Sequence, residues 1–193
     1  MNDSRTSKPA IFVDRDGTLI EEVNFLSRVE DLKLFPFTAE AVGRIKGSGY
    51  LLIVVTNQSG IARGIYSEAD MHAIHDAIQE SLGGAIDGFY FCPHMPDAGC
   101  ECRKPGLGML HKACTDFNID LGNSWMVGDK ALDVKTGVNA GIGAAMVMTG
   151  YGRGHVAEIE TSSALVGEDL LDIVAQIISL RPSSPILLTE DAL

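Results

Sequence analysis

Short, unbroken apolar segments alternate with helical segments along most of this chain, and this alternation constrains its fold more than any other feature. The apolar segments predict five strands, AIFV at 10–13, YLLIVV at 50–55, DGFYFC at 87–92, SWMV at 124–127 and AAMVM at 144–148. The intervening patterns predict helices over 38–47, from Ser67 onward, 107–117, 131–139 and 167–180. Strands that are apolar throughout are typical of a parallel sheet covered on both faces. We therefore predict an α/β fold, a Rossmann-like three-layer sandwich with a central parallel sheet.

The length and charge of the chain narrow the possible classes of protein. A chain of 193 residues is long enough for one domain, which we place at 10–182 between a disordered tail at 1–9 and a second tail at 183–193. The net charge of -11 argues against nucleic acids and anionic membranes as partners. The first residues carry no signal peptide pattern, and the longest apolar run is too short to span a bilayer. We expect a cytoplasmic enzyme that works as a monomer.

Polar residues follow each predicted strand at the point where the strand ends. Ligands bind at the carboxyl ends of the strands in open parallel sheets, so these segments are the candidate site. They are Asp14 to Thr18, Thr56 to Gly60, Cys92 to His94, Gly128-Asp129, and Thr149-Gly150.

The first of these segments places Asp14 and Asp16 two residues apart after a buried strand. Two carboxylates this close repel each other unless a cation or a proton intervenes, and Mg²⁺ prefers carboxylate oxygens. Asp14 would then suit a covalent nucleophile toward a phosphoryl group, and Asp16 an acid and base. The alternative interpretation is a solvated turn, since Asp and Gly are common in turns.

Two further segments have weaker but compatible patterns. The hydroxyl of Thr56 and the amides after it could hold phosphate oxygens, although a strand-end threonine alone is common. Asp129 could supply another metal carboxylate, and Asp133, one helical turn later, could orient Lys104 or Lys130. A helix-capping role is the alternative for the aspartates.

A cluster of thiols and an imidazole lies just before Arg103 and Lys104. Cys92, His94, Cys100 and Cys102 form the ligand set of a closed, structural Zn²⁺ site. Such a site would fold the loop 92–102 and fix the direction in which the two cations emerge. Buried free thiols are the alternative, and Cys114 is expected to be a small core residue. His72 and His75 are predicted to be solvated.

In combination, these motifs resemble the haloacid dehalogenase superfamily of phosphotransferases. The segments FVDRDGT, VVTNQSGIARG, CPH, CRKPGLGM and MVGDK resemble in particular its D,D-heptose 1,7-bisphosphate phosphatases and the related histidinol-phosphate phosphatases. The resemblance covers residues 11 to about 150. One departure is the loop between His94 and Cys100, where residues 95–99 form a shorter segment than many members have.

The resemblance implies a role for each matching residue. Asp14 corresponds to the nucleophile, Asp16 to the acid/base, Thr56 to the phosphoryl-binding hydroxyl and Lys104 to the cation that neutralises a phosphoaspartate. Asp129 corresponds to a Mg²⁺ ligand, together with Asp14 and the Asp16 carbonyl, with Lys130 next to the metal. The residues predicted to contact substrate are Arg15, Thr18, Asn57, Arg63 and Arg103.

The spacing of the motifs also bears on substrate access. The intervals from Asp14 to Thr56 and from Thr56 to Lys104 leave no room for an inserted domain of typical size. We therefore expect a capless enzyme of this superfamily with a small zinc-binding loop. The implied activity is Mg²⁺-dependent removal of the C7 phosphate of D-glycero-D-manno-heptose 1,7-bisphosphate, in ADP- or GDP-heptose precursor synthesis. Histidinol phosphate is the alternative substrate, and a non-enzymatic phosphoacceptor domain is the alternative class.

Overall fold

Six parallel strands form the central sheet of the computed structural model, which describes residues 7–180. The strands lie in the order β3-β2-β1-β4-β5-β6. Their bounds are β1 Ala10–Val13, β2 Leu51–Asn57, β3 Gly88–Cys92, β4 Trp125–Gly128, β5 Gly143–Val147 and β6 Leu165–Gly167. The predicted α/β fold with a parallel sheet is confirmed. Residues 1–6 and 181–193, which contain most of the predicted first tail and all of the second, lie outside the described residues.

Helices cover both faces of this sheet. The helices are α1 Thr38–Gly47, α2 Glu68–Ser81, α3 Gly108–Asp116, α4 Ala131–Ala140, α5 Gly152–His155 and α6 Leu170–Ser179. On β1, Ile11 and Val13 point into a core shared with α1, α2 and α6. The alternate residues Ala10 and Phe12 point into a core shared with α3, and α4 packs its Val134 against β5 on that side. This alternation produces the three layers, since successive strand residues face opposite sides.

Several local features differ from the sequence-based expectations. Strand β6 and helix α5 were not predicted, because three and four residues are too few for a periodic pattern. The amide of Lys8 donates to the Asn118 carbonyl at 3.0 Å, so the backbone joins the domain before β1. The prediction for His75 was wrong: it is 3% exposed and stacks on Phe89 at a centroid distance of 4.5 Å.

The strand order places a switch point at the centre of the sheet. From β1 the chain proceeds outward through β2 and β3, and then returns to β4 on the other side of β1. Loops that leave β1 and β4 in opposite directions open a crevice between them, which is where such folds bind ligands. Asp14 directly follows β1, and Asp129 directly follows β4.

The connections that face this crevice carry no inserted domain within residues 7–180. Between β1 and α1 the chain forms a loop with one 3-10 turn at Val29–Asp31, and between β2 and β3 the only helix is α2. The expected capless arrangement is confirmed. Within the same described range, none of the helices has the length and apolar character that a bilayer crossing requires.

Candidate active site

An open cavity of about 330 Å³ lies at the carboxyl ends of β1, β2 and β4. It brings together residues that are far apart in the chain, as expected for the edge of a parallel sheet. Its lining includes Asp14, Arg15, Asp16, Thr56, Asn57, Arg103, Lys104 and Lys130 among the predicted site residues. The lining that was not predicted includes Glu22, Val23, Asn24, Phe25, Leu26, Gln58, Ser59, Tyr66, Leu132, Tyr151 and His155.

Lys104 joins two buried carboxylates on the floor of this cavity. Its ammonium lies 3.0 Å from Asp14 Oδ1 and 2.6 Å from Asp133 Oδ1. Burial opposes the charge on Lys104, but Asp133 and Asp14 together raise its pKa above the ordinary value. Burial alone would raise the pKa of Asp14, whereas Lys104 and Lys130 more than offset it and lower the pKa. Asp14 is therefore held ionised next to the cavity.

The bonding and burial of Asp129 are those expected of a metal ligand. Its Oδ2 accepts a hydrogen bond from the Tyr151 amide at 2.8 Å, while its Oδ1 is buried without a partner. Burial, followed by repulsion from Asp14, raises the pKa of Asp129 to about 7. A hard divalent cation between Asp14 and Asp129 would remove both effects, and carboxylate oxygens are the ligands that Mg²⁺ prefers. The residues present therefore fit a Mg²⁺ ion.

Asp133 lies in the same acidic group but is otherwise engaged. One oxygen each of Asp14, Asp129 and Asp133 lies within 4.8 Å of the others. Asp133, however, pairs with Lys104 through Oδ1 and accepts from the Lys130 amide through Oδ2 at 3.1 Å. Burial raises the pKa of Asp133 to about 6 despite Lys104. Its geometry matches the predicted orientation of Lys104 rather than metal binding.

Gly17 makes the close approach around Asp129 possible. Its backbone has φ +78°, and a Cβ there would lie 2.2 Å from Asp129 Oδ2. Any other residue would displace the carboxylate as well as strain the turn. The glycine of the D-R-D-G-T motif is thus required by its contact with the end of β4 as well as by the turn.

Asp16 is held by several donors beside the cavity. Arg15 donates to both of its oxygens at 3.0 Å, from Nε and Nη2, and Gln58 donates to Oδ2 at 2.9 Å. Gln58 also donates to Thr56 Oγ1 at 2.8 Å. Arg15 is 1% exposed. Its guanidinium pairs with Asp16, and the residue also lines the cavity.

Lys130 also lines the cavity, where its positive charge is next to acidic residues. Its ammonium is 3.4 Å from Glu22 Oε2 and 4.7 Å from the centroid of the Tyr151 ring. Burial opposes its charge, but Asp14, Asp129 and Glu22 raise the pKa of Lys130 above its ordinary value. A cation cannot ligate Mg²⁺, so the predicted place of Lys130 near the metal could involve its charge only.

The four predicted zinc ligands converge at the end of β3. Cys102 Sγ lies 3.2 Å from Cys92 Sγ, 3.6 Å from Cys100 Sγ and 3.3 Å from His94 Nδ1. Four ligands at Zn–S distances of about 2.3 Å and tetrahedral angles would have their sulfurs roughly 3.8 Å apart. The thiols are free, and their spacing fits one ion at the centre of the group.

The zinc loop is connected to the cavity by two sets of hydrogen bonds. Arg103 Nη1 donates to the His94 carbonyl at 3.2 Å, which directs this half-buried side chain along the loop. Asn57 Oδ1 accepts from the Lys104 amide at 3.1 Å, and Asn57 Nδ2 donates to the Lys104 carbonyl at 3.3 Å. Asn57, which was predicted to contact substrate, lines the cavity, and its side-chain amide also aligns the backbone of Lys104.

Two predicted substrate residues lie outside the cavity lining. Thr18 is fully buried in the turn after β1, so its hydroxyl does not reach the cavity. Arg63 is exposed, and its guanidinium lies 5.8 Å from the ring centroid of Phe25, which is itself a lining residue. The prediction that these two residues contact substrate is not supported by their positions. Gln58 could have been noticed, because it follows Thr56 and Asn57 directly in a strand-end segment.

Comparisons with known proteins agree with this arrangement. The HAD-hydrolase-like family model matches residues 101–173. A Haemophilus ducreyi protein named D-glycero-beta-D-manno-heptose-1,7-bisphosphate 7-phosphatase is 38% identical over 177 residues, covering 86% of this chain and 97% of that protein. A Thermosynechococcus vestitus protein named D-glycero-D-manno-heptose-1,7-bisphosphate 7-phosphatase is 43% identical over 159 residues, covering 75% of this chain and 81% of that protein.

A solved structure gives the same result for the fold. The crystal structure of D,D-heptose 1,7-bisphosphate phosphatase from B. bronchiseptica, complexed with magnesium and phosphate, superposes with a TM-score of 0.82. The two sequences are 32% identical, and the match covers 89% of this chain and 98% of the B. bronchiseptica chain. Fold and sequence together define the class of haloacid dehalogenase-like hydrolases. Within that class, this chain belongs to the family that includes the D,D-heptose 1,7-bisphosphate phosphatases.

Proposed function

We propose that this chain is a Mg²⁺-dependent phosphatase that removes the C7 phosphate of D-glycero-D-manno-heptose 1,7-bisphosphate. The observation that carries the proposal is the position of Asp14, ionised beside Lys104 and facing Asp129 at the switch point of the sheet. This arrangement suits transfer of a phosphoryl group, because charge stabilisation on both sides of the nucleophile is what that reaction requires.

In the first step, a carboxylate oxygen of Asp14 attacks the phosphorus. The bond from phosphorus to the sugar oxygen breaks, and the leaving oxygen takes a proton from Asp16, which leaves a phosphoaspartate on Asp14. Lys104 and the hydroxyl of Thr56 lie at the cavity and can hold the phosphoryl oxygens. In the second step, water attacks the phosphoaspartate and gives a proton to Asp16, which releases inorganic phosphate and restores Asp14.

Asp14 and Asp129, with the backbone carbonyl of Asp16, would hold the Mg²⁺ ion. The ion, when bound, supplies positive charge that offsets the negative charge of the phosphoryl group. Lys104 and Lys130 add two further positive charges around Asp14, which helps to attract a phosphorylated sugar despite the overall charge of -11.

The zinc loop has a structural role in this proposal. A Zn²⁺ ion held by Cys92, His94, Cys100 and Cys102 has four protein ligands and so no open position for substrate or water. Its contribution is to hold the His94 carbonyl, and through it Arg103, at the rim of the cavity. We also propose that the enzyme acts in the cytoplasm as a monomer.

Arg103 favours a substrate with a second anionic group. Arg103 is half-buried and lines the cavity, and a guanidinium can bind two oxygens of a phosphate at once. The heptose bisphosphate carries a second phosphate, whereas histidinol phosphate would bring an ammonium group toward the same cation. Names of the relatives support the heptose substrate as well.

A comparative kinetic screen tests the proposed function. Phosphate release is measured with Mg²⁺ for both anomers of the heptose bisphosphate, histidinol phosphate, fructose 1,6-bisphosphate and a simple monoester. The heptose bisphosphate should have the highest kcat/KM, with many turnovers per chain. Preference for histidinol phosphate would overturn the heptose assignment and leave only the phosphatase class. A single turnover on every substrate would indicate a phosphoacceptor domain instead.

A further inference from the structure

The side chain of Gln58 connects the two groups that are proposed to handle the proton and the phosphoryl oxygens. Its Nε2 donates one hydrogen bond to Asp16 Oδ2 at 2.9 Å and the other to Thr56 Oγ1 at 2.8 Å. An amide nitrogen carries two hydrogens, so both are used by these two acceptors. Gln58 is 3% exposed, and its own backbone amide donates to the Cys92 carbonyl at 2.7 Å.

Tyr66 determines which end of the Gln58 amide points at the site. The Tyr66 hydroxyl donates to Gln58 Oε1 at 2.5 Å, which keeps the nitrogen directed at Asp16 and Thr56. Without this donor, the amide could rotate and present its oxygen to the Asp16 carboxylate, which would be repulsive. Tyr66 is 7% exposed and lines the cavity, and the partner of its hydroxyl is Gln58.

Gly60 keeps Tyr66 in this position. A Cβ at residue 60 would lie 2.1 Å from Tyr66 Cε1, so the ring packs directly against the glycine backbone. The loop after β2 is therefore shaped around the tyrosine. This packing orders the ring before any substrate binds.

The same bonds specify the direction of the Thr56 hydroxyl proton. Thr56 is 1% exposed, and its oxygen accepts a hydrogen bond from Gln58. A hydroxyl that accepts one bond keeps its own proton free to donate elsewhere. Thr56 lines the cavity, so this proton can be donated to a phosphoryl oxygen that binds there.

We propose that Tyr66 is a positioning residue that acts through Gln58 to hold Asp16 for proton transfer and Thr56 for phosphoryl binding. This inference rests on the proposed function, because it assigns Tyr66 to the same reaction. Tyr66 does not touch the reacting atoms. Its loss should therefore weaken the proton-transfer step most, since Asp16 depends on alignment with the leaving oxygen.

The test is the dependence of kcat/KM on the leaving group in Tyr66→Phe. A sugar oxygen needs a proton as it leaves, whereas p-nitrophenolate leaves readily without one. We expect Tyr66→Phe to lower kcat/KM for the heptose bisphosphate about tenfold, a fraction of the full effect of an acid catalyst. For p-nitrophenyl phosphate, the loss should be about twofold or less, because its leaving group needs no proton from Asp16 and only the contribution of Thr56 is affected.

Two further variants complete the design. Gln58→Met removes both donors at similar length, so it should lower kcat/KM for both substrates and more strongly for the heptose bisphosphate. Tyr90→Phe is the matched control, because Tyr90 is also largely buried and donates to Asp116 at 2.8 Å, away from the cavity. It should leave both rates unchanged.

The results separate this inference from the proposed function. An equal loss on both substrates in Tyr66→Phe would indicate a general structural role and overturn the positioning role, as would unchanged rates on both. If the wild-type chain releases phosphate from neither substrate, or if Asp14→Asn remains active, the proposed function itself fails. Thermal unfolding of each variant checks that the fold is kept.

Discussion

The ammonium of Lys104 lies 2.6 Å from Asp133 Oδ1, and both side chains are buried. Asp133 is therefore the partner that aims Lys104 at Asp14 on its other side. Because Lys104 follows the zinc loop and Asp133 lies in α4, this pair connects the zinc loop to the helix that follows β4.

Asp133→Asn should lower both stability and activity. It removes one charge from a buried pair, which costs about 3 kcal/mol of unfolding free energy because the remaining charge loses a partner. The kcat should fall about tenfold or more, since Lys104 is then less well aligned. Urea unfolding and steady-state kinetics measure the two effects. Glu40→Gln is the control, because its ion pair with Arg44 is exposed and should change stability by less than about 1 kcal/mol.

Asp14→Asn should remove turnover while leaving the fold intact. The amide cannot act as the nucleophile and is a weaker Mg²⁺ ligand. Asp16→Asn should retain the metal and lose proton transfer, with a fall in kcat of about 10²-fold or more. Phosphate release and Mg²⁺ titration distinguish the two variants. Near-normal activity in purified Asp14→Asn would exclude the phosphoaspartate mechanism.

Cys102→Ser should lose zinc and reduce activity without touching the phosphoryl site. Elemental analysis of the wild-type chain should find about one zinc per chain, as expected for a four-ligand structural site. Loss of the ion should disorder the loop that carries the His94 carbonyl and Arg103. Cys114→Ser is the matched control and should retain the zinc. Full activity in a zinc-free preparation would contradict the structural role.

Arg103→Ala should affect the bisphosphate more than a monoester. The loss of one charged contact to a remote phosphate should lower kcat/KM for the heptose bisphosphate about 10-fold or more, by roughly 1.5–3 kcal/mol. A simple monoester lacks that phosphate and should be hydrolysed at nearly the wild-type rate. Arg44→Ala, on the exposed side of α1, is the control. An equal loss on both substrates would assign Arg103 to the common phosphoryl site.

The buried imidazole of His75 should make stability depend on pH. Burial, with a smaller contribution from Arg15, lowers the pKa of His75 from 6.5 to about 3. The unfolded chain therefore binds a proton that the folded chain does not, between pH 6.5 and about 3. Stability should fall as the pH decreases through this window, by up to about 1.4 kcal/mol per pH unit from this residue.

Denaturant unfolding at several pH values tests this expectation. In His75→Leu, the pH dependence should be weaker than in the wild-type chain, whatever the effect of the substitution at neutral pH. His72→Gln is the control, because His72 is exposed on the same helix. Equal slopes in the wild type and His75→Leu would show that His75 does not contribute.

Much of the fold and the central site follow from local sequence patterns. Strands that are apolar throughout can be buried on both faces only in a covered parallel sheet, so the three layers were predictable. The carboxyl ends of parallel strands share one edge, so Asp14, Thr56 and Asp129 could be placed together. The spacing of Cys92, His94, Cys100 and Cys102 likewise predicted their convergence.

The tertiary structure alone decided which side chains contact each other at that edge. Asn57 aligns Lys104, Gln58 joins Asp16 to Thr56, and Thr18 lies below the cavity. The burial of His75 against Phe89 depends on how α2 packs on β3, which its helical position does not reveal. Sequence periodicity specifies which face of an element is apolar, whereas contacts between residues far apart in the chain depend on the register and angle of packing. Those contacts therefore appear only when the elements are assembled.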